Sequence, residues 1–557
     1  MKLSALALSL GVALGALAAP AAACAFSAPK PFAWENATVY FLLTDRFHNG
    51  NPANDLAYGR KADAATLRGF MGGDLAGVTA KIKAGYFKDL GVDALWITPP
   101  VEQIHAGTDE GTGKSYGFHG YWARDFTAVD ANLGTEADMR TLVDTAHAHG
   151  IRVLLDVVMN HTGPVTESDP VWPADWVRTG PTCTYKDAPT TTDCTLVKNL
   201  PDVLTASDAN VALPPALVAK WKAENRYERE VAELDAFFKR TGYPRAPRYY
   251  LVKWHTDWVR KYGFDGFRAD TAKHTEPGIW KELKKEAGAA FEDWKRANPK
   301  KRVGDTPFYM TAEVYNYAIG HGHQFDMGNN TQVDFFANGF DSLINFSLKG
   351  DASKPYEEIF SAYSDSLNGP LKGHSVLNYL SSHDDGSPFD VERKRPFETA
   401  TKLLLTPGAV QIYYGDETAR ALKVDGAEGD ANLRSFMNWG ELAANAKRDG
   451  YRVADVRRHW SRLGLFRQAH PAVGAGVHRK LADSPYTFAR TYAKGGVSDK
   501  VVVALDLPAV RATPVSVAAV FKDGELVRDY YSGKRAKVAG GKVRFDAANP
   551  IVLIGKP

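Results

Sequence analysis

This chain has no dominant charge. Its 557 residues carry 68 Lys and Arg against 65 Asp and Glu, a formal net charge of +3. That balance gives no reason to expect a nucleic-acid or membrane-surface partner. Cysteine is scarce, with three residues in all. Beyond the N-terminus no apolar run is long enough to span a bilayer as a helix, so the mature protein is expected to be exported and soluble. Repeats and low-complexity tracts are missing too. With 44% hydrophobic and 24% charged residues the composition is that of a soluble globular protein. The length suffices for one large core and one or two smaller domains.

Residues 1–23 read as a secretory signal, with Lys2, an apolar run from Leu3 to Leu17 and the small residues Ala21, Ala22 and Ala23. An exported chain meets an oxidising compartment, which permits a disulfide between Cys183 and Cys194 in one loop-rich stretch; two reduced buried thiols are the alternative. Cys24 follows the cleavage site, so a lipid-modified N-terminus stays open, although Ala21 stands where a lipoprotein signal usually has Leu.

Apolar runs bounded by turn signals predict barrel strands at 37–43, 91–97, 151–158, 264–268, 308–312, 343–346, 376–381 and 409–414. Helical patterns fall at 135–149, 248–262 and 453–469. The alternation lapses for nearly ninety residues after His161, too long for an ordinary loop. The expected fold is therefore α/β: a (β/α)8 barrel over 30–160 and 249–470, with a domain inserted after strand 3 over 161–248. Short β-runs after Pro471, such as 501–505 and 517–521, predict a C-terminal antiparallel β-sandwich over 471–557.

Four segments at predicted strand ends carry the chemistry: Asp156 to His161, Gly266 to His274, Ala312-Glu313-Val314 and Ser382-His383-Asp384. Catalytic groups of a (β/α)8 barrel come from the C-terminal ends of different strands, so residues this far apart in sequence meet at one face. Three carboxylates, Asp270, Glu313 and Asp384, with no thiol or hydroxyl nucleophile nearby, point to glycoside hydrolysis, which needs a carboxylate nucleophile and a carboxylic acid. Arg268 lies two residues before Asp270 on one strand, facing the same side, where it would keep that carboxylate ionised. Glu313 must hold its proton near neutral pH.

These segments, with Thr44 to Phe47, His119 to Trp122, Tyr379 to Asp384 and Pro407 to Ile412, resemble the α-amylase family of retaining glycoside hydrolases, with the strongest likeness to its periplasmic members from Gram-negative bacteria. The best known of those have a further N-terminal domain, for which this chain has no room. The resemblance implies endo-hydrolysis of α-1,4-glucans such as starch, glycogen and maltodextrins by a monomer in the periplasm or secreted. It assigns Asp270 as nucleophile, Glu313 as acid and base, and Asp384 as holder of the distorted sugar. His161 and His383 would bind sugar hydroxyls, Tyr121 would stack beneath the sugar, and Lys273 and His274 would face the leaving group. Asp156 reads as an orienter.

The resemblance further implies a calcium ion between barrel and insert, held by Asn160, the His274 carbonyl and Asp202. A second calcium loop, like that of cyclodextrin glucanotransferases, would use Asn49, Asn51, Asn54, Asp55 and Asp74; a plain Asn/Asp turn is the alternative. Ser382 stands where chloride-dependent members carry Asn, so no chloride is expected. A related transglycosylase and an inactive barrel used as a binding subunit are the competing functions. One C-terminal sandwich, without further domains, weighs against the first, and retention of all three carboxylates against the second.

Overall fold

The computed structural model describes residues 32–557; the signal segment and Cys24 lie outside the described residues. Eight short buried strands close a parallel barrel in sequential order. They are β1 (Thr38–Leu42), β2 (Ala94–Ile97), β3 (Arg152–Val157), β4 (Gly266–Ala269), β5 (Tyr309–Ala312), β6 (Ser342–Asn345), β7 (Ser375–Asn378) and β8 (Ala409–Tyr413). β1 pairs with β8 in the register Thr38 to Val410 and closes the ring. Strands buried on both faces read as continuous apolar runs, which is why all eight were visible in the sequence.

Helices Leu75–Lys83, Glu136–Ala148, Pro247–Tyr262, Gly278–Ala297, Tyr356–Asn368, Pro396–Leu405 and Val453–Ala469 cover the outside. Gly91, at φ +69°, lets the turn before β2 touch the last of these; a Cβ there would meet the Gly464 carbonyl at 2.4 Å. No long helix joins β5 to β6. The stretch rich in Gly, Asn and Asp around 326–341 favours turns instead, and buried Phe335, Phe336 and Phe340 cover the barrel there.

Between β3 and Pro247 the chain forms a short helix, Pro189–Thr192, two longer ones, Pro215–Ala223 and Tyr227–Thr241, and a ribbon of Val177–Arg178 with Asp202–Val203. Cys183 and Cys194 are joined by a disulfide. This segment has a substantial aromatic core, although its sequence shows no long apolar run. Trp172, Trp176 and Trp221 pack on Trp254 of the barrel helix, with Phe126 and Tyr250 alongside. Buried Asp125 accepts from Lys220 Nζ at 2.8 Å and Arg226 Nη2 at 2.9 Å, fastening the insert to the barrel side.

The C-terminal part is a six-stranded antiparallel sheet plus a two-stranded ribbon, Val515–Ser516 with Lys542–Val543. The expected strand at 517–521 is a turn. Val520 and Phe521 N–H both donate to the Val517 carbonyl at 2.9 Å. Val517 and Phe521, four residues apart, share the core, so this apolar run follows a helical rather than a strand spacing.

Candidate active site

Asp270 and Glu313 directly follow the last residues of β4 and β5, and Asp384 lies in the turn after β7. All three line one cleft of about 610 Å³ with Tyr121, His161, Lys273 and His274. The Asp270 and Glu313 side chains are 7% and 13% exposed, whereas that of Asp384 is 46% exposed.

Strand register sets the centre of the site. Arg268 on β4 lies beside Asp156 on β3, and its guanidinium is shared among three carboxylates. Nη1 donates to Asp270 Oδ1 at 2.6 Å and to Asp156 Oδ1 at 3.0 Å, while Nη2 donates to Glu313 Oε2 at 2.7 Å. Asp156 also accepts from Trp96 Nε1 at 2.9 Å and Tyr121 Oη at 2.8 Å, so it is fully engaged behind the site. Gly120, at φ +94°, passes so close to Pro99 that a Cβ would meet the Pro99 carbonyl oxygen at 2.5 Å; the turn delivers Tyr121 to the cleft.

Burial pushes the Asp270 carboxyl up to about 6, with Asp156 adding to the rise and Arg268 opposing it. Arg268 thus limits the shift without cancelling it. Burial raises Glu313 further, to about 7, helped by Asp270 and Asp384 against Arg268. Burial also pulls Asp384 upward, but His383 and Arg434 outweigh it and hold this carboxyl far below the usual range. Near neutral pH the arrangement favours a protonated Glu313 beside two carboxylates.

The histidines are also held by contacts within the protein. His161 lines the cleft, and its Nε2–H donates to the Tyr121 carbonyl at 3.0 Å. His383 is buried and stacks on Tyr121 at 5.3 Å, with Nε2 2.9 Å from Asp384 Oδ2, so it reaches the cleft through Asp384. His274 Nδ1–H donates to the Thr191 carbonyl at 3.1 Å. Lys273 Nζ lies 5.1 Å from the Tyr315 ring and 5.7 Å from that of Tyr185, at the cleft wall. Sequence reasoning missed Arg434. Its Nη2 bonds Asp384 Oδ1 and pairs with Asp430, which Arg68 links on to Glu110. It ends a short 3-10 helix, Gly429–Arg434, after β8, with no apolar periodicity to mark it.

The Asn160 amide end that faces the insert lies 2.9 Å from the His274 carbonyl and 3.2 Å from Asp202 Oδ1. The bridge between His161 and Asp202 creates this meeting. Asp202 Oδ2 is buried without a hydrogen bond, although Arg178 Nε approaches it at 2.9 Å. An orphaned buried carboxylate oxygen beside a carbonyl and an amide fits a hard cation. In the second loop Asp74 is committed elsewhere, accepting from Gly50, Asn51 and Gly77 N–H at 2.6–3.0 Å. Asn51 Oδ1 accepts from Ala53 N–H in its own turn, and Asp55 Oδ1 accepts from Asn49 Nδ2; only Asn49 and Asn54 leave buried carbonyl oxygens unpartnered. No cluster of three or more His, Cys, Asp or Glu suited to a metal occurs among the described residues.

A closed barrel with two buried carboxyls bridged by one guanidinium at its C-terminal rim fits a glycoside hydrolase. The chain belongs to the α-amylase family: the model of the α-amylase catalytic domain matches residues 41–457. It is 38% identical over 532 residues to the periplasmic α-amylase of Escherichia coli (strain K12), covering 85% of this chain and 72% of that one. It is 26% identical to the cyclomaltodextrin glucanotransferase of Paenibacillus macerans, over 93% of this chain and 66% of that one. Among solved structures, an Anoxybacillus α-amylase superposes with a TM-score of 0.63 at 22% identity, over 95% and 99% of the two chains. A cyclomaltodextrin glucanotransferase with a three-domain ABC distribution superposes at 0.61 and 22% identity, over 93% and 99%.

Proposed function

We propose that this enzyme hydrolyses internal α-1,4 bonds of starch, glycogen and maltodextrins with retention of configuration. Asp270 attacks the anomeric carbon as the bond to the leaving oxygen breaks, and Glu313 gives that oxygen its proton. Glu313 then takes a proton from water, whose oxygen displaces Asp270. The shared guanidinium of Arg268 carries this reading. One carboxyl becomes a neutral ester while its neighbour becomes a carboxylate, so the charge beside Arg268 stays constant through the first step. Bridging by one guanidinium also favours the close carboxyl spacing of retaining enzymes, about 5 Å, over the wider one of inverting enzymes. The test is proton NMR of a maltooligosaccharide digest at early times: α-anomeric products support the reading, and initial β-anomers overturn it. Cyclic products or longer oligosaccharides in the same digest would favour the transglycosylase.

Asn160, Asp202 and the His274 carbonyl would hold a calcium ion, which supplies a fixed positive charge joining the insert to the barrel. The second loop, around Asn49 and Asn54, would bind a cation only if its backbone-bonded carboxylate rearranged. The signal-like N-terminus and the likeness to a periplasmic relative support an extracytoplasmic location.

A further inference from the structure

Glu313 Oε2 accepts two hydrogen bonds, from Arg268 Nη2 at 2.7 Å and from the Thr271 backbone N–H at 3.1 Å. No described residue donates to Oε1. The second of these bonds comes from an irregularity in the barrel. β4 and β5 pair with Ala269 beside Ala312, and the Glu313 N–H donates to the Ala269 carbonyl at 2.9 Å. In a regular parallel ladder residue 271 would return its N–H to the Glu313 carbonyl. Here Ala272 does so instead, at 2.8 Å. One extra residue is thus inserted just after β4. This bulge takes the Thr271 N–H out of the ladder and frees it for the Glu313 side chain.

The bulge puts Thr271 at φ +44° and ψ +40°. It is the only β-branched residue at positive φ among the described residues, and a branched Cβ is strained there. Its own side chain does not stabilise the turn, because Oγ1 is buried without a hydrogen-bond partner. Its neighbours hold it. The His274 N–H donates to the Thr271 carbonyl at 2.9 Å, and the Ala272 carbonyl accepts from Trp280 Nε1 at 3.1 Å.

We infer that Thr271 is a positioning residue for the acid: its N–H, with Arg268, fills Glu313 Oε2 and so leaves the transferable proton on Oε1. The inference rests on the glycoside-hydrolase reading and deepens it. An oxygen that already receives two donors is the carbonyl oxygen of the acid, not its hydroxyl. As the glycosidic bond breaks, its electron pair stays on the leaving oxygen, which takes the proton from Oε1. The negative charge left on Glu313 spreads to Oε2, where both donors meet it. Burial is the main upward push on the Glu313 carboxyl, and Arg268 and the Thr271 N–H work against it.

Incorporating the α-hydroxy analogue of threonine at position 271 replaces this N–H by an ester oxygen and keeps the side chain. The alkaline limb of kcat/KM should then move up by about one pH unit, since the carboxylate form loses a partner. kcat should fall about tenfold on a maltooligosaccharide and stay within about twofold on α-maltosyl fluoride, whose leaving group is highly activated. Thr271→Ala keeps the N–H and should leave the alkaline limb in place. An unmoved limb in the ester variant, an equal move in Thr271→Ala, or equal losses on the two substrates would overturn the inference. A neutron structure of the wild type, below the Glu313 pKa of about 7, locates the proton without any variant. Deuterium on Oε1 supports the inference, and deuterium on Oε2 overturns it. A wild type that cleaves neither substrate would overturn the glucan-hydrolase reading instead.

Discussion

At the scale of single residues, two carboxyls with raised and unequal proton affinities set the pH response. Turnover needs Asp270 ionised and Glu313 protonated, with their pKa values near 6 and 7. kcat/KM should therefore follow a narrow bell, falling below about 6 as Asp270 gains a proton and above about 7 as Glu313 loses its own. Because the groups interact, the limbs belong to the pair rather than to either residue. A pH–rate profile checks this, and a flat response from about pH 5 to 9 would contradict it. Asp270→Asn should abolish turnover with the circular dichroism spectrum unchanged. Glu313→Gln should stop cleavage of poor leaving groups while sparing glycosylation by highly activated ones. These carboxyls were legible in the sequence because each follows a strand whose apolar run is unmistakable. Arg434 was not, since it acts on Asp384 from fifty residues away, at the end of a short 3-10 helix with no apolar pattern. The exchange of His161 Nε2–H onto a backbone carbonyl depends on a contact between distant turns, which no local pattern encodes.

At the scale of elements, the insert changes the expected importance of calcium. Its sequence lacks long apolar runs, and the resemblance implied a calcium ion between it and the barrel. Four tryptophans scattered over 172–254 instead build a shared core with the barrel, and scattered aromatics leave no periodic trace. Trp221→Ala should cost about 3–5 kcal/mol in chemical denaturation, as large-to-small changes at fully buried aromatics do. Chelation of a folded enzyme should lower the melting temperature and activity but leave the insert docked. Asp202→Ala should abolish stoichiometric calcium uptake measured by titration calorimetry, with a smaller stability loss than Trp221→Ala. No calcium uptake by the wild type would remove the metal from this account. The missing helix between β5 and β6 has the same lesson: turn-forming residues set the connection, while three phenylalanines replace the helix as cover.

At the scale of the whole molecule, buried neutral histidines link stability to pH. Burial depresses His161, His255 and His459 to about 4. His459 bridges barrel and C-terminal sheet, with Nδ1 2.9 Å from Tyr531 Oη and Nε2–H donating to the Phe397 carbonyl at 3.0 Å. The unfolded chain binds protons at about 6.5, the folded chain only near 4, so stability present at neutral pH is lost as pH falls through that window. The raised carboxyls of Asp270 and Glu313 act in the opposite direction, so the test is the difference between variants: from about pH 7 to 4 the wild type should lose more melting temperature than His459→Gln does. An equal or greater loss in His459→Gln would refute the sign assigned to His459.

The closure of the barrel also imposes an order in time. β1 finds its second neighbour only in β8, from Thr38 to Val410, and Asn36 just before it bonds Arg467 and Gly474 at 2.7–2.8 Å. A chain that emerges from its N-terminus must therefore keep its first strand half-paired until more than four hundred residues are out. Long-range pairing of this kind is slow, and its open edge is exposed to neighbours meanwhile. During synthesis that edge is open to wrong partners for as long as β8 is still to come.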